Sequence, residues 1–152
     1  MKRTIWALCA LCLLLALPAC GGGSAKAPFD PVGAAQALLD SGAFSEPLAP
    51  IGGDMACALY GIDRDTVRAC AVYGSTGATA EELAAFAFGD EEGAKAALAA
   101  LQGRVQDRKE EMADYLPAEV PKLDGAVAER RGASVLLVVA ADYGPVRDFL
   151  EG

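Results

Sequence analysis

The sequence predicts an α+β fold in which a small antiparallel sheet of about four strands packs on one long helix, with short terminal helices. Residues 90–114 carry a 3.6-residue apolar repeat, which is typical of an amphipathic helix. Two pairs of β-prone segments flank it, 68–75 with 79–88 and 126–130 with 134–141. One hairpin on each side of a single helix indicates an antiparallel sheet with its helices on one face.

The first helix is predicted from Asp30 to about Asp40. Asp30 is typical of an N-cap, whose carboxylate accepts hydrogen bonds from free backbone N–H groups, and Pro31 fits the first helical position. Gly42 is expected to end the helix. The expected apolar stripe comprises Val32, Ala35, Leu38 and Leu39.

The next segment contains a loop, a short element and the first strand. Residues 45–53 are rich in proline and glycine and are predicted as a loop. Residues 54–60 are predicted as a short helix that Gly61 ends, although 55–60 are also compatible with a strand. Residues 68–75 combine small and β-compatible side chains, which predicts a strand.

Residues 79–88 admit two interpretations. Thr79 and Glu82 have the spacing of a capping box, which favours a helix. The apolar run 83–88, which ends at Gly89, favours a strand that returns beside the first one. We expect the strand.

The long helix has the strongest sequence pattern. Asp90 is expected to cap it, and Glu91 and Glu92 lie at the positive end of its dipole. Its apolar positions are Ala94, Ala97, Leu98, Leu101, Val105, Met112 and Leu116. Charge pairs at helical spacing predict a solvated outer face, namely Glu91–Lys95, Arg104–Asp107 and Arg108–Glu111.

The C-terminal third is predicted to form a turn, a hairpin and a last helix. Pro117 and Pro121 bracket the turn, and Arg131-Gly132 marks the hairpin. Residues 135–139 are apolar throughout, as expected of a central strand. A short helix is predicted over 146–150.

Residues 1–19 have the features of a secretory signal peptide. Lys2 and Arg3 precede an apolar run from Ile5 to Leu17. At about 1.5 Å per residue this run makes roughly 20 Å of helix, which is short of the ~30 Å hydrocarbon core of a membrane. The run is therefore expected to be a cleaved leader.

Leu17-Pro18-Ala19-Cys20 resembles the lipobox of bacterial lipoproteins. The resemblance implies cleavage between Ala19 and Cys20 and attachment of diacylglycerol to the Cys20 thiol, a stable two-chain anchor. Residues 20–29 are then the lipidated cysteine and a flexible tether, and residues 30–152 a single domain. An ordinary secretory leader or a short anchor, with Cys20 incidental, is the alternative.

Composition excludes several classes of function. The chain has 21 acidic and 13 basic side chains, a net charge of −8, whereas proteins that bind nucleic acid need excess positive charge. The sequence has no histidine, which removes Ser-His-Asp and Cys-His catalysis and histidine-ligated zinc. We expect no cofactor and no metal.

Two cysteines and one pair of glutamates remain as candidate functional residues. Cys57 and Cys70 are expected either to form a disulfide, which exported surroundings permit, or to be buried as small free thiols. Glu81 and Glu82 are expected to be solvated, with side chains on opposite faces of a strand. A hydrolase that uses carboxylates alone would need such groups to converge across a cleft.

Three strings, residues 60–90, 104–123 and 130–142, are together similar to a family of small lipoproteins of Gram-positive Firmicutes. This family is known as a domain of unknown function, DUF4358. The shared features are a Tyr-Gly-Ile turn, a Glu-Glu pair before an apolar strand, and an Asp-Tyr-Leu-Pro helix end, and the similarity covers about residues 30–150. It supports the lipoprotein leader and the strand over 79–88 and implies no catalytic residue.

These observations together predict a membrane-anchored lipoprotein on the extracytoplasmic face of the cell membrane. We expect a non-catalytic envelope interaction or accessory module, whose partners are the membrane, through the lipid at Cys20, and an unidentified protein or small molecule. The alternatives are a lipoprotein that captures a small ligand for a transporter and, less favoured, the carboxylate-based hydrolase.

Overall fold

The computed structural model describes residues 26–77 and 79–152, and within them five antiparallel strands form one sheet. The strands are β1 Ala49–Ile51, β2 Val67–Gly74, β3 Glu82–Phe88, β4 Val127–Arg131 and β5 Ser134–Val139, in the order β1-β2-β3-β5-β4. The two predicted hairpins are β2–β3 and β4–β5, and antiparallel pairing of β3 with β5 joins them. The α+β fold is confirmed.

Strand β1 corrects the prediction of a loop over residues 45–53. It pairs with β2 at the edge of the sheet, where Pro50 lies opposite Tyr73. An edge strand tolerates proline because one side of its backbone needs no hydrogen-bond partner. The sheet therefore has five strands instead of about four.

The described helices are α1 Pro31–Leu39, α2 Gly53–Tyr60, α3 Glu91–Tyr115, α4 Val120–Asp124 and α5 Gly144–Glu151. Both predicted caps are confirmed, since the carboxylates of Asp30 and Asp90 accept hydrogen bonds from N–H groups three residues later, at 3.0 and 2.8 Å. The short element is a helix and not a strand, and Gly61 ends it with a φ of 64°.

One local prediction for the helices is incomplete and one is wrong. The turn expected between Pro117 and Pro121 is present as a 3-10 turn, Pro117–Glu119, but the short helix α4 that follows it was not predicted. Proline is well tolerated in the first turn of a helix, so Pro121 does not prevent α4. Val32, expected in the apolar stripe of α1, is 65% exposed. The face of α1 that meets the sheet is instead centred on Ala34, Ala35 and Leu38.

The helices cover both faces of the sheet, so the prediction of helices on one face is wrong. One face carries α1 and α5, which pack with Leu83, Ala85, Leu136 and Val138. The opposite face carries α2, α3 and α4, which pack with Ala84, Phe86, Val135 and Leu137. The physical reason is that the inner strands β3 and β5 are apolar on both sides and need cover on each.

The sheet has two distinct ends, which fix the position of the remaining features. The chain enters at the entry end, defined by Phe29, Phe88 and Gly132, where the Phe29 N–H donates to Ser134 Oγ at 2.7 Å. Arg131 lies over the Phe29 ring, with 4.3 Å between guanidinium carbon and ring centroid.

The far end is defined by Gly74, Glu82 and Val139, which are paired across the sheet. At about 3.3 Å per residue, β3 separates the two ends by roughly 20 Å. Helix α1 runs from the entry end to the far end, and α5 returns to the entry end, where Arg131 donates to the carbonyl of Leu150 at 2.8 Å.

Candidate functional site

Two glutamates, adjacent in sequence, are buried at the far end of the sheet. Glu81 is 1% exposed and Glu82 is 7% exposed, so the prediction of solvated carboxylates is wrong. Their placement on opposite faces is as expected, because Glu81 binds Ser45 on the loop after α1, whereas Glu82 binds Tyr60 on α2 and Arg104 on α3. Lys122 also binds Glu81, although its helix α4 packs on the Glu82 side of the sheet. Each glutamate forms a separate charged centre.

The Glu81 centre consists of a carboxylate, a lysine and a serine. Glu81 accepts hydrogen bonds from the Ser45 backbone N–H at 2.8 Å and from the Ser45 hydroxyl. Lys122 Nζ lies 2.8 Å from Glu81 Oε1 and 2.9 Å from Glu119 Oε2. The Lys122 ammonium is therefore shared between two carboxylates.

Further hydrogen bonds extend the Glu81 centre into the backbone. Glu119 accepts from the Ala80 N–H at 2.8 Å, next to Glu81 itself. The Tyr143 hydroxyl donates to the Lys122 carbonyl at 2.6 Å and accepts from the Ala140 N–H at 3.1 Å. The centre thereby connects the loop after α1, the start of β3, helix α4 and the end of β5.

The charges of the Glu81 centre are stable near neutral pH. Burial by itself raises the pKa of Glu81, but hydrogen bonds from Lys122 and Ser45 outweigh it and the pKa is lowered. Burial by itself lowers the pKa of Lys122, but its bonds to Glu81 and Glu119 outweigh it and the pKa is raised. Both shifts favour the ionised forms of the two groups near pH 7.

The Glu82 centre lies on the other face, against α2 and α3. The Tyr60 hydroxyl donates to Glu82 Oε1 at 2.7 Å, and Arg104 approaches both carboxylate oxygens at 3.3 Å. The Arg104 guanidinium also lies over the Tyr60 ring, 5.3 Å from its centroid. Burial, followed by the charge of Glu82, raises the pKa of the Tyr60 hydroxyl.

Arg104 corrects the predicted pattern of surface charge pairs on α3. It was expected to pair with Asp107 on a solvated face, whereas its side chain is only 22% exposed and pairs with Glu82. Glu91 was expected to pair with Lys95, but its carboxylate Oε2 instead lies 3.2 Å from the guanidinium Nη1 of Arg130 on β4. The expected Arg108–Glu111 pair is present at 3.6 Å.

In both centres the carboxylates bind other parts of the protein. Each oxygen of Glu81 and of Glu82 accepts at least one hydrogen bond from the chain. Glu81 directly precedes β3 and Glu82 is its first residue, and their side chains bind separate partners and do not converge across a cleft, as a pair of glycosidase carboxylates must. The arrangement fixes loops and helices to the sheet.

A surface groove of about 530 Å³ lies beside the Glu81 centre, between the end of α1 and the loop that follows it. Leu39, Phe44 and Leu48 form its apolar wall, and Asp40 and Glu46 contribute carboxylates. Ser45 lines this groove and is bonded to Glu81, so the buried centre holds one wall in place. Glu46 accepts from the hydroxyls of Ser75 and Thr79.

The predicted lipidation site and the two predicted cysteines are described by the structure to different extents. Ala19 and Cys20, the predicted cleavage and lipidation site, lie outside the described residues. Cys57 on α2 and Cys70 on β2 are free thiols in the structure, and a disulfide between them stays a prediction.

Sequence reasoning missed Ser45, Arg104 and Lys122 as partners of the two glutamates. One signal was present, because Glu81-Glu82 leads directly into six uncharged apolar residues that form a buried strand. Two charged residues directly next to a buried strand need partners for their carboxylates, and these partners must come from other helices or loops.

Two kinds of feature are absent from the described part of the chain. Within residues 26–77 and 79–152, no three His, Cys, Asp or Glu side chains are grouped as metal ligands would be. Over the same residues, no helix combines the length and apolarity needed to span a membrane.

A family model described as a domain of unknown function (DUF4358) matches residues 41–140. The matched range contains the five strands and the helices α2, α3 and α4, and it includes both glutamates with Arg104 and Lys122. No curated protein and no solved structure shows significant similarity to the chain.

Proposed function

The chain belongs to the DUF4358 family, and from this premise we propose that it is a membrane-tethered, non-catalytic interaction module of a Gram-positive cell envelope. In this proposal Cys20 carries the lipid and the domain lies on the extracytoplasmic face of the membrane. The partner is an envelope protein that contacts the far end of the sheet.

The observation that carries the proposal is that the chain enters the domain at one end of the sheet and the groove lies at the other end. The chain enters the domain at Phe29, next to Ser134 and Arg131, whereas the groove and the Glu81 centre lie at the other end of β3. An anchor attached at the entry end therefore leaves the groove on the side remote from the membrane.

The length of the tether supports the same arrangement. Lys26 is six positions after Cys20, and a chain extends by at most about 3.6 Å per residue, so the reach is roughly 20 Å. The entry end is then confined near the membrane surface, and the far end is displaced by a further ~20 Å along β3. A partner in the cell wall or on a neighbouring protein meets the far end first.

The Glu81 centre supports a preformed contact surface at the far end. Ser45 belongs both to the groove and to the hydrogen-bond network of Glu81. A fixed loop loses little conformational entropy on binding, which favours association.

The volume of the groove favours a second candidate, the capture of a small ligand for a transporter. Small-molecule sites commonly enclose about 300–1,000 Å³, and the groove has about 530 Å³ with apolar walls and two carboxylates. Saturable thermal stabilisation by a small molecule, absent in a Phe44→Glu variant, would favour this second function over the first.

The anchor is tested by mass spectrometry of the protein recovered from its host. We expect a mature chain that starts at Cys20 and carries a diacylglycerol mass, and a Cys20→Ala variant that keeps its leader and has no lipid. An unmodified N-terminus in the wild-type protein would contradict the proposal.

The interaction surface is tested by photo-cross-linking in host membranes. A benzoylphenylalanine replaces Leu48 in the groove, and in a matched control it replaces the exposed Glu92 at the start of α3, at the entry end. We expect a discrete protein adduct from position 48 and none from position 92. Equal labelling from both positions, or no adduct from position 48, would overturn the assignment of the far end.

A further inference from the structure

The two cysteines of the domain lie on facing elements of one apolar cluster. Cys57 is on the inner side of α2 and is 3% exposed, and Cys70 is half-buried on the adjacent strand β2. Cys57 belongs to the cluster that α2 and α3 form with the sheet, and Cys70 packs against that cluster. Their chain separation of thirteen residues is spanned by the end of α2 and a 3-10 turn.

A close contact places the Cys70 thiol against α2. Cys70 Sγ lies 3.1 Å from the position that a Cβ atom on Gly53 would occupy, so the absence of a side chain at Gly53 makes room for the sulfur. Gly53 and Cys57 are four residues apart on one helix and therefore share a face. The Cys70 thiol thus rests on the same helix face as Cys57.

Cys57 is the less reactive thiol of the pair. Burial raises the pKa of the Cys57 thiol, and the neighbouring Cys70 raises it further. Cys70 is the more exposed of the two, so an external reagent reaches it first.

We propose that Cys57 and Cys70 are a thiol pair that oxidises to a disulfide and thereby fastens α2 to β2. The oxidant is a disulfide, either a small molecule or an exported oxidoreductase. This inference does not rest on the proposed interaction function or on lipidation of Cys20.

The reaction consists of two thiol–disulfide exchanges. The Cys70 thiolate attacks one sulfur of the external disulfide, forms a mixed disulfide and displaces one thiolate. The Cys57 thiolate then attacks Cys70 Sγ and displaces the second. The two cysteines lose two electrons and two protons, and the external disulfide is reduced to two thiols.

The test uses the purified, folded full chain treated with glutathione disulfide and quenched in acid. The remaining thiols are then labelled with N-ethylmaleimide in denaturant and mapped by peptide mass spectrometry. We expect one cross-linked peptide that joins Cys57 to Cys70. Mapping separates this result from any reaction of Cys20, Cys9 or Cys12, so the outcome is independent of the state of the leader.

Single variants identify the order of attack and provide controls. We expect Cys57→Ala to accumulate glutathione on Cys70, and Cys70→Ala to leave Cys57 labelled only in denaturant. The oxidised wild-type domain should melt on the order of 10 °C above the reduced one, since the bond closes a loop of about 14 residues. A stable mixed disulfide on Cys70 in the wild-type protein, or two thiols that stay reduced while the protein is folded, would overturn the proposal.

Discussion

The two charged centres differ in the kind of structure that they hold together, although their glutamates are neighbours in sequence. Glu81 binds Ser45 and Lys122, which lie 36 and 41 residues away on a loop and a five-residue helix. Glu82 binds Tyr60 and Arg104, each 22 residues away on regular helices with extensive apolar packing.

From this difference we expect a buried ion pair to matter most where it holds irregular segments and short helices. The helices α2 and α3 pack against Phe86 and its neighbours even without Glu82. The loop that contains Ser45 packs on the other apolar cluster through Ala43, Phe44 and Leu48, and it has no regular helix or strand at Ser45, where Glu81 holds the backbone N–H. We therefore expect the Glu81 centre to be the more sensitive of the two.

The largest effect is expected for Lys122→Met. The substitution leaves Glu81 buried without its cation and removes a partner of Glu119, which should lower the free energy of unfolding by about 3–5 kcal/mol. Urea denaturation measures this. Lys109→Met is the matched control, because its partner Asp124 is 59% exposed and the loss should be below about 1 kcal/mol. Equal losses in the two variants would refute the ranking.

A smaller loss is expected for Arg104→Met on the opposite face. The guanidinium lies 3.3 Å from the carboxylate and is partly exposed, so removal should cost about 2–3 kcal/mol. Arg108→Met, one turn later on α3, breaks a pair with an exposed glutamate and should cost less than about 1 kcal/mol. If Arg104→Met proves more costly than Lys122→Met in urea denaturation, the comparison of the two centres is reversed.

Tyr60→Phe should lower the free energy of unfolding by about 1–2 kcal/mol, since it deletes one hydrogen bond to a charged group and keeps the ring against Phe86. Tyr143→Phe deletes hydrogen bonds to backbone groups and should cost about 1 kcal/mol. Thermal unfolding followed by circular dichroism compares the two variants. If Tyr60→Phe leaves the stability unchanged, the hydrogen bonds from Arg104 are sufficient for the Glu82 carboxylate.

The smallest effect is expected from mild changes of pH. The pKa of Glu81 is below its ordinary value of 4.5 in the folded state, so its stabilisation is present above that value and is lost as pH falls through the lower folded pKa. The pKa of Lys122 is above 10.5, so its stabilisation is present below that value and is lost as pH rises further.

Urea denaturation between pH 7 and 3 tests the acidic limb of this dependence. Glu81→Gln should reduce the loss of stability in acid, whereas Glu110→Gln, on the exposed side of α3, serves as the control. Identical slopes for the two variants would show that Glu81 does not contribute to acid unfolding.

The parts of the fold that were predicted correctly are those with a local signal. The caps Asp30 and Asp90 and the repeat of α3 depend on residues within a few positions of one another. Strand β1 has no such signal, because its three residues are held by pairing with β2. Helices on both faces of the sheet could have been predicted from the sequence, because β3 and β5 are apolar at nearly every position.

The candidate site was predicted only in part because its members come together through the tertiary fold. The alternation of side chains in a strand correctly placed Glu81 and Glu82 on opposite faces. Their burial depends on Ser45, Lys122 and Arg104, which no local pattern connects to β3. The sequence also indicated Cys57 and Cys70 as a possible disulfide pair, but the close approach of Cys70 to Gly53 is visible only in three dimensions.

The return of α5 has a practical consequence for experiments on the intact protein. Lys26 and Arg131 both donate to the carbonyl of Leu150, so the start of the described chain and Gly152 lie side by side. A fluorescent protein fused after Gly152 would therefore sit beside the lipid surface in the proposed arrangement, where it can crowd the anchor. A small dye in the turn after β2 would instead lie on the side that faces away from the membrane in this arrangement. Comparing the distances of the two labels from the membrane would then measure the orientation of the domain on a cell.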